Sequence, residues 1–206
     1  MPTITGLVQG KKNPNRVNVY LDGLFAFALS IDEVGKRELK KGLELTDIQI
    51  EEMLTKDIND KAYGKVLNFI SYRPRTLKEI RDRLKQYEVD DKETQNYIID
   101  RLTANGYIDD VAFARWFVES RNIHRPRSHR MLTQELMIKG VSKEDITLAM
   151  DSANGEETSI LKVLNKKLGE HRHLESVERQ NILGYLGRQG YSWELIKEVV
   201  KSWESE

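Results

Sequence analysis

Tyr72-Arg73-Pro74-Arg75-Thr76 recurs as His124-Arg125-Pro126-Arg127-Ser128, an offset of 52 residues. The apolar positions that follow keep the same offset, with Ile80 matching Leu132 and Leu84 matching Leu136. At an offset of 50, Leu132 matches Ile182, Leu136 matches Leu186, Gly140 matches Gly190 and Ser142 matches Ser192. Glu144, Ile146 and Met150 likewise fall on Glu194, Ile196 and Val200. Turn residues and core residues match in order, so the chain is read as three copies of one helical unit. Each copy has a lead helix, a second helix after the polar turn and a third helix capped by Ser or Asp. Repeats near fifty residues built from helices predict an elongated array in which each unit stacks on its neighbours.

From Thr46 onward the periodicity is helical. Thr46 caps a long helix with apolar residues from Ile50 to Ile70 at three- and four-residue spacings, ending before Pro74. Further helices are predicted near 76–87, 91–104, 110–122, 128–139, 142–153, 156–169, 175–189 and 192–203, with Gly106, Gly140 and Gly190 as left-handed caps. The first forty-odd residues differ. Thr3 to Gln9 is rich in β-branched residues, Arg16 to Leu21 alternates, and Asp22-Gly23 is a hairpin turn before Leu24 to Leu29. Ser30 with Glu33 forms a capping box for a short helix from Ile31 to about Leu39. Three strands are marginal alone, so this cap is expected to pack on the helices. The predicted division is 1–45 for the β cap, then repeats over 46–110, 111–154 and 155–206. The fold class is mainly α, with helix-turn-helix-like repeats and a small three-stranded cap.

Composition narrows the function. The chain has 206 residues, no cysteine, and 33 basic against 33 acidic side chains. Disulfide frameworks and thiol catalysis are excluded. No apolar run is long enough for a transmembrane helix and no signal peptide is visible, so a cytoplasmic protein without a membrane partner is expected. The zero net charge is uneven: residues 1–60 carry 8 basic and 10 acidic groups, 61–140 carry 16 and 11, and 141–206 carry 9 and 12. The middle block is therefore +5, between blocks of −2 and −3. Its candidate partner-binding residues are Arg73, Arg75, Arg115, Arg121, Arg125, Arg127, Arg130 and Lys139, and Lys11, Lys12 and Arg16 form a second candidate contact in the first hairpin. Forked guanidinium groups suit phosphate or carboxylate, and local salt bridges use them equally well. Asp109-Asp110 reads as a helix cap, His171 and His173 as exposed, and Phe113, Trp116, Phe117 and Trp193 as core, with Trp203 a partly exposed anchor. No nucleotide loop, dinucleotide fingerprint or nucleophile elbow occurs, so no enzyme, cofactor or metal is expected.

The units resemble the RecX family of regulators of the RecA recombinase. The resemblance rests on Tyr72-Arg73-Pro74-Arg75-Thr76 with Leu77, Ile80 and Leu84; on Leu102 and Gly106-Tyr107-Ile108-Asp109-Asp110; and on Phe113-Ala114, Phe117-Val118 and Arg121. Arg125-Pro126-Arg127-Ser128, Leu136 and Gly140-Val141 complete it. It is densest over 72–141, and the third unit departs from it, offering Glu170-His171-Arg172-His173 in place of the arginine turn. The resemblance implies a non-enzymatic protein that lies along the groove of the RecA filament on DNA; the chain itself is expected to be a monomer. There it restrains ATP hydrolysis, filament growth and strand exchange; the basic middle block adds the expectation of weak direct DNA contact. Two other readings stand beside it. One is a stand-alone helix-turn-helix DNA regulator, against which the middle helix interleaves Lys78, Arg81, Arg83 and Lys85 with Glu79 and Asp82. The other is a structural scaffold, disfavoured by the local positive excess.

Overall fold

A computed structural model of the chain describes residues 1–151 and 155–205. Its elements follow one another as β1 (Ile4–Gln9), β2 (Arg16–Leu21), β3 (Leu24–Ser30), α1 (Ile31–Lys36), α2 (Asp47–Ser71), α3 (Leu77–Gln86), α4 (Lys92–Ala104), α5 (Asp110–His124), α6 (His129–Ile138), α7 (Lys143–Met150), α8 (Glu156–Leu168), α9 (Ser176–Arg188) and α10 (Trp193–Ser205). The fold is mainly helical: nine of these helices form three three-helix repeats that follow, in the chain, a three-stranded antiparallel sheet of order β1-β2-β3. The predicted helix over 142–153 runs to Met150; positions 152–154, with the boundary placed there, lie outside the described residues. Among the described residues, no helix is long and apolar enough to cross a membrane.

The chain divides into two compact units, one of residues 1–69 and 84–98, the other of residues 70–83 and 99–206. In the first, Asp22 and Gly23 turn the hairpin with φ of 47° and 87°, as the Asp-Gly pair demands. Ile4, Val19, Phe27 and Leu29 bury one face of the sheet with Leu39, Leu45 and Met53, the last from α2. The cap therefore completes its core with a helix of the first repeat, as its marginal size requires. A buried ion pair reinforces this. Asp57 of α2 is only 4% exposed, and its carboxylate accepts from the Arg16 guanidinium, from Lys61 at 2.8 Å and from the Ala28 backbone N–H at 3.2 Å. Arg16 also donates to the Ala28 carbonyl. At Ser30 only half of the expected capping box forms: its hydroxyl accepts from the Glu33 N–H at 3.2 Å, while the Glu33 carboxylate turns to Arg37. α1 stops at Lys36, three residues short of expectation.

In the second unit, two apolar cores follow the repeat. One gathers Phe113, Phe117, Leu132, Leu136 and Ile146 from α5, α6 and α7; the other gathers Ile160, Leu164, Ile182, Leu186, Ile196 and Trp203 from α8, α9 and α10. Two tryptophans reverse their expected places. Trp193 is 50% exposed, because as the first residue of α10 it precedes the helix face formed by Ile196, Val199, Val200 and Trp203. Trp203 is fully buried, with its indole N–H donating to Asn165 at 2.7 Å and His171 stacked on its ring.

Neighbouring repeats are joined by a recurrent docking. The N-terminus of α3 sits against the corner after α6: the Thr76 hydroxyl donates to the Lys139 carbonyl at 2.8 Å, and Lys78 donates to the Ile138 carbonyl at 2.9 Å. The N-terminus of α6 sits in the same way against the corner after α9, with the Ser128 N–H donating to the Gln189 carbonyl at 3.1 Å. Each corner turns on a left-handed glycine, Gly140 at φ 87° and Gly190 at φ 92°. A Cβ on Gly140 would lie 2.7 Å from Lys78 Cβ, and one on Gly190 would lie 2.4 Å from Met131 Cγ and 2.5 Å from Ser128 Oγ. The matching corner of the first repeat is left-handed too, but its residue is Glu88, at φ 63° and exposed. What precedes that repeat in the chain is the β cap, which has no arginine turn to dock there, so a side chain has room.

Gly140→Ala and Gly190→Ala are expected to destabilise by about 2–4 kcal/mol each, from left-handed strain plus overpacking. Gly106→Ala, at a left-handed corner with open space around it, is expected to cost only about 1 kcal/mol. Urea denaturation of the three variants measures the difference.

Candidate partner-binding surface

The arginine turns and the lead helix of the second repeat come together around two carboxylates. Glu79, in the first turn of α3, receives a forked pair from Arg73 at 3.0 and 3.1 Å and an ion pair from Lys139 at 3.0 Å, with Arg75 at 3.9 Å. Glu135, on α6, accepts from Arg121 at 2.9 Å and has the Arg127 Nε at 3.0 Å, an ion pair without a directed hydrogen bond. Thr76 caps α3 by accepting from the Glu79 N–H at 3.1 Å, and the Glu79 carboxylate is drawn to the cations. Burial alone would raise the Glu79 pKa; hydrogen bonds and charge from Arg73 and Lys139 outweigh it and hold the carboxyl below its ordinary value. Burial and the neighbouring Arg73 together lower that of Arg75.

These cations lie along an aromatic ridge on α5. Arg73 lies over Trp116 at 5.6 Å, Lys139 over Phe113 and Phe117 at 5.9 and 5.8 Å, and Arg121 over Phe117 at 4.9 Å. Phe113 and Phe117 are buried, as expected of core positions, and Trp116 is half-buried at their edge. Ridge and carboxylates thus hold Arg73, Arg121 and Lys139 in fixed positions, and stacked guanidinium groups keep unused N–H donors for a further anion.

The remaining predicted residues are placed differently. Arg115, Arg125 and Arg130 are exposed and form no ion pair among the described residues. Lys11 and Lys12 are exposed in the first hairpin, whereas Arg16 is turned inward onto Asp57, so the hairpin offers two lysines to solvent and not three cations. In the third repeat Arg172 forks onto Glu178 at 2.8 and 2.6 Å, six residues on, as Arg73 does onto Glu79. The repeat without the arginine turn keeps its internal pair.

Asp109 and Asp110 divide two tasks. Asp109 caps its own helix, accepting from the Ala112 N–H at 2.8 Å, while Asp110 accepts the Leu77 N–H of α3 at 3.0 Å. Between the second and third repeats the same device recurs, as Glu156, the first residue of α8, accepts the His129 N–H of α6 at 2.5 Å. The lead helix of one repeat therefore caps the middle helix of the repeat before it, a contact no local motif announces.

With the geometry in place, comparison with known proteins is direct. Four family models match in sequence order: the regulatory protein RecX N-terminal domain over residues 2–46, and the RecX first, second and third three-helix domains over 62–102, 109–150 and 156–200. The chain belongs to the RecX family. It is 33% identical over 209 residues to regulatory protein RecX of Bacillus subtilis (strain 168), covering 100% of this chain and 79% of that protein. It is 34% identical over 217 residues to regulatory protein RecX of Oceanobacillus iheyensis, covering 100% and 78%. A crystal structure of regulatory protein RecX superimposes with a TM-score of 0.72 at 28% identity, covering 98% of this chain and 100% of that one. RecX from Lactobacillus salivarius shares the fold, with a TM-score of 0.59 at 20% identity over 73% of this chain. RecX proteins are regulatory and non-enzymatic.

Asp110 yields a pH test. Burial, with repulsion from Asp145, Asp109 and Glu79, raises its pKa against the opposing hydrogen bond from Leu77. The folded state then holds the proton more tightly than the unfolded one, so stability falls as pH rises from the unfolded value through the raised folded value. Asp110→Asn keeps the acceptor without the charge. It is expected to melt above the parent at neutral pH, with the gain vanishing below the ordinary aspartate range, whereas Asp110→Ala melts lower throughout. Thermal melts across pH check both.

Proposed function

We propose that this protein regulates the RecA recombinase by binding along the groove of the RecA–DNA filament and restraining ATP hydrolysis, filament growth and strand exchange. Membership of the RecX family along the whole chain carries the reading. The architecture supports it, because tandem repeats offer several modest contacts that combine through effective concentration. The exposed Arg115, Arg125 and Arg130, together with the cations on the α5 ridge, supply the positive charge that an acidic protein surface or exposed phosphates attract. Such binding restrains turnover when it favours one filament state over another.

The docking between repeats supports a tandem array held unit to unit, because the N-termini of α3 and α6 are used against the next repeat through Thr76, Lys78 and Ser128.

Added at substoichiometric amounts, the protein is expected to slow RecA-driven ATP hydrolysis on single-stranded DNA. Arg115→Glu with Arg130→Glu, both exposed and outside internal ion pairs, is expected to raise the half-inhibitory concentration about tenfold, equivalent to ~1.4 kcal/mol, with an unchanged melting temperature. Undiminished hydrolysis with the parent protein rejects the proposal.

A further inference from the structure

A second group of exposed cations without ion pairs among the described residues joins Arg125 of the second arginine turn to lysines of α8. A cavity of about 530 Å³ opens among the C-terminal end of α5, the following turn, α8 and α9. Arg125, Lys162, Lys166 and Lys167 line it, all exposed and none in an ion pair among the described residues. Its walls also include Tyr185, over whose ring Lys167 lies at 4.1 Å, and the buried Val163. Asn122, 6% exposed, forms part of the lining, and its Oδ1 is buried without a hydrogen-bond partner.

We infer that this cavity binds one nucleotide unit of a single-stranded nucleic acid. The size falls within the range of small-ligand sites, roughly 300–1,000 Å³. Four cations without a carboxylate among the lining residues suit phosphate, for which lysine acts as a point charge. Lys162 and Lys166 are one helical turn apart on α8, about 6 Å along the axis, so they can meet successive phosphates of one strand. The Tyr185 ring gives the wall the aromatic surface that single-strand sites place beside their cations. Asn122 Oδ1 lacks a donor, and a base N–H or a sugar hydroxyl supplies one, which relieves the cost of a buried unsatisfied acceptor. An acidic peptide would engage the cations, but the acidic side chains themselves carry no ring to set against Tyr185.

The inference does not depend on the filament reading, because its test omits the recombinase. Binding of a fluorescein-labelled oligothymidylate to the full chain is followed by anisotropy over a salt series. Lys162→Ala with Lys166→Ala, both at exposed positions, is expected to weaken binding at least tenfold at low salt. It is also expected to reduce the slope of log affinity against log salt by about 1.4, the contribution of two single-strand phosphates. Asn122→Leu is expected to weaken binding while leaving that slope unchanged. Parent-like affinity and slope in the double lysine variant overturn the inference. So does competition by an oligoglutamate as strong as by unlabelled oligothymidylate, which would make the cavity an acidic-peptide site.

Discussion

The helical part of the molecule depends on how the middle helix of one repeat begins. A helix N-terminus leaves backbone N–H groups without intrahelical partners. In α3 and α6 these are not satisfied locally alone. The Thr76 and Ser128 hydroxyls cap the third residue on, and the first helical N–H of each, Leu77 and His129, is taken by Asp110 and Glu156 of the next repeat. The same end presses on the glycine corner of that repeat. One short segment thus joins a cap, a carboxylate and a left-handed turn, and coupling passes from neighbour to neighbour as expected of a repeat protein. The Arg-Pro-Arg-Thr/Ser turn is present in the two repeats whose middle helices dock in this way. α9 follows Glu175, whose side chain makes no cap.

That docking explains what could be read in the sequence and what could not. The helices, the hairpin and the glycine corners were legible because their signals are local: periodicity, Asp-Gly, and Gly at fixed offsets. Why Gly140 and Gly190 tolerate no side chain, whereas Glu88 stands at the equivalent corner, was not legible. It depends on a neighbour some sixty residues away, as the Thr76 to Lys139 bond shows. Asp110 was read as a cap for its own helix, and it caps another. The tryptophans exchanged roles for a similar reason, since a one-dimensional pattern does not say which end of α10 meets the α8–α9 surface.

Charge was the less legible part of the candidate site. Counting along the chain put the positive excess in the middle block, but Glu79 and Glu135 gather Arg73, Lys139, Arg121 and Arg127 there. Several of these pairs span many residues; Lys139 and Glu79 are sixty apart. Conversely, residues 141–206 carry net −3, yet they contribute Lys162, Lys166 and Lys167 to one cation-lined cavity. Net charge over a block averages out the arrangement on which an anionic partner depends.

Paired and unpaired cations contribute differently to binding. A guanidinium already forked onto a half-buried carboxylate attracts an incoming anion less, because the carboxylate's charge opposes the newcomer and breaking the pair leaves a partly desolvated charge uncompensated. Its value is positional: Arg73 over Trp116 and Arg121 over Phe117 present flat, fixed donor faces that cost little conformational entropy to engage. Unpaired Arg115, Arg125 and Arg130 attract at longer range but must be ordered on contact, and their contribution is screened by salt. A surface combining both kinds gains encounter rate from the free cations and orientation from the anchored ones. The neutral total charge then limits indiscriminate adhesion to nucleic acid, so selectivity rests on geometry that the repeat docking holds in place.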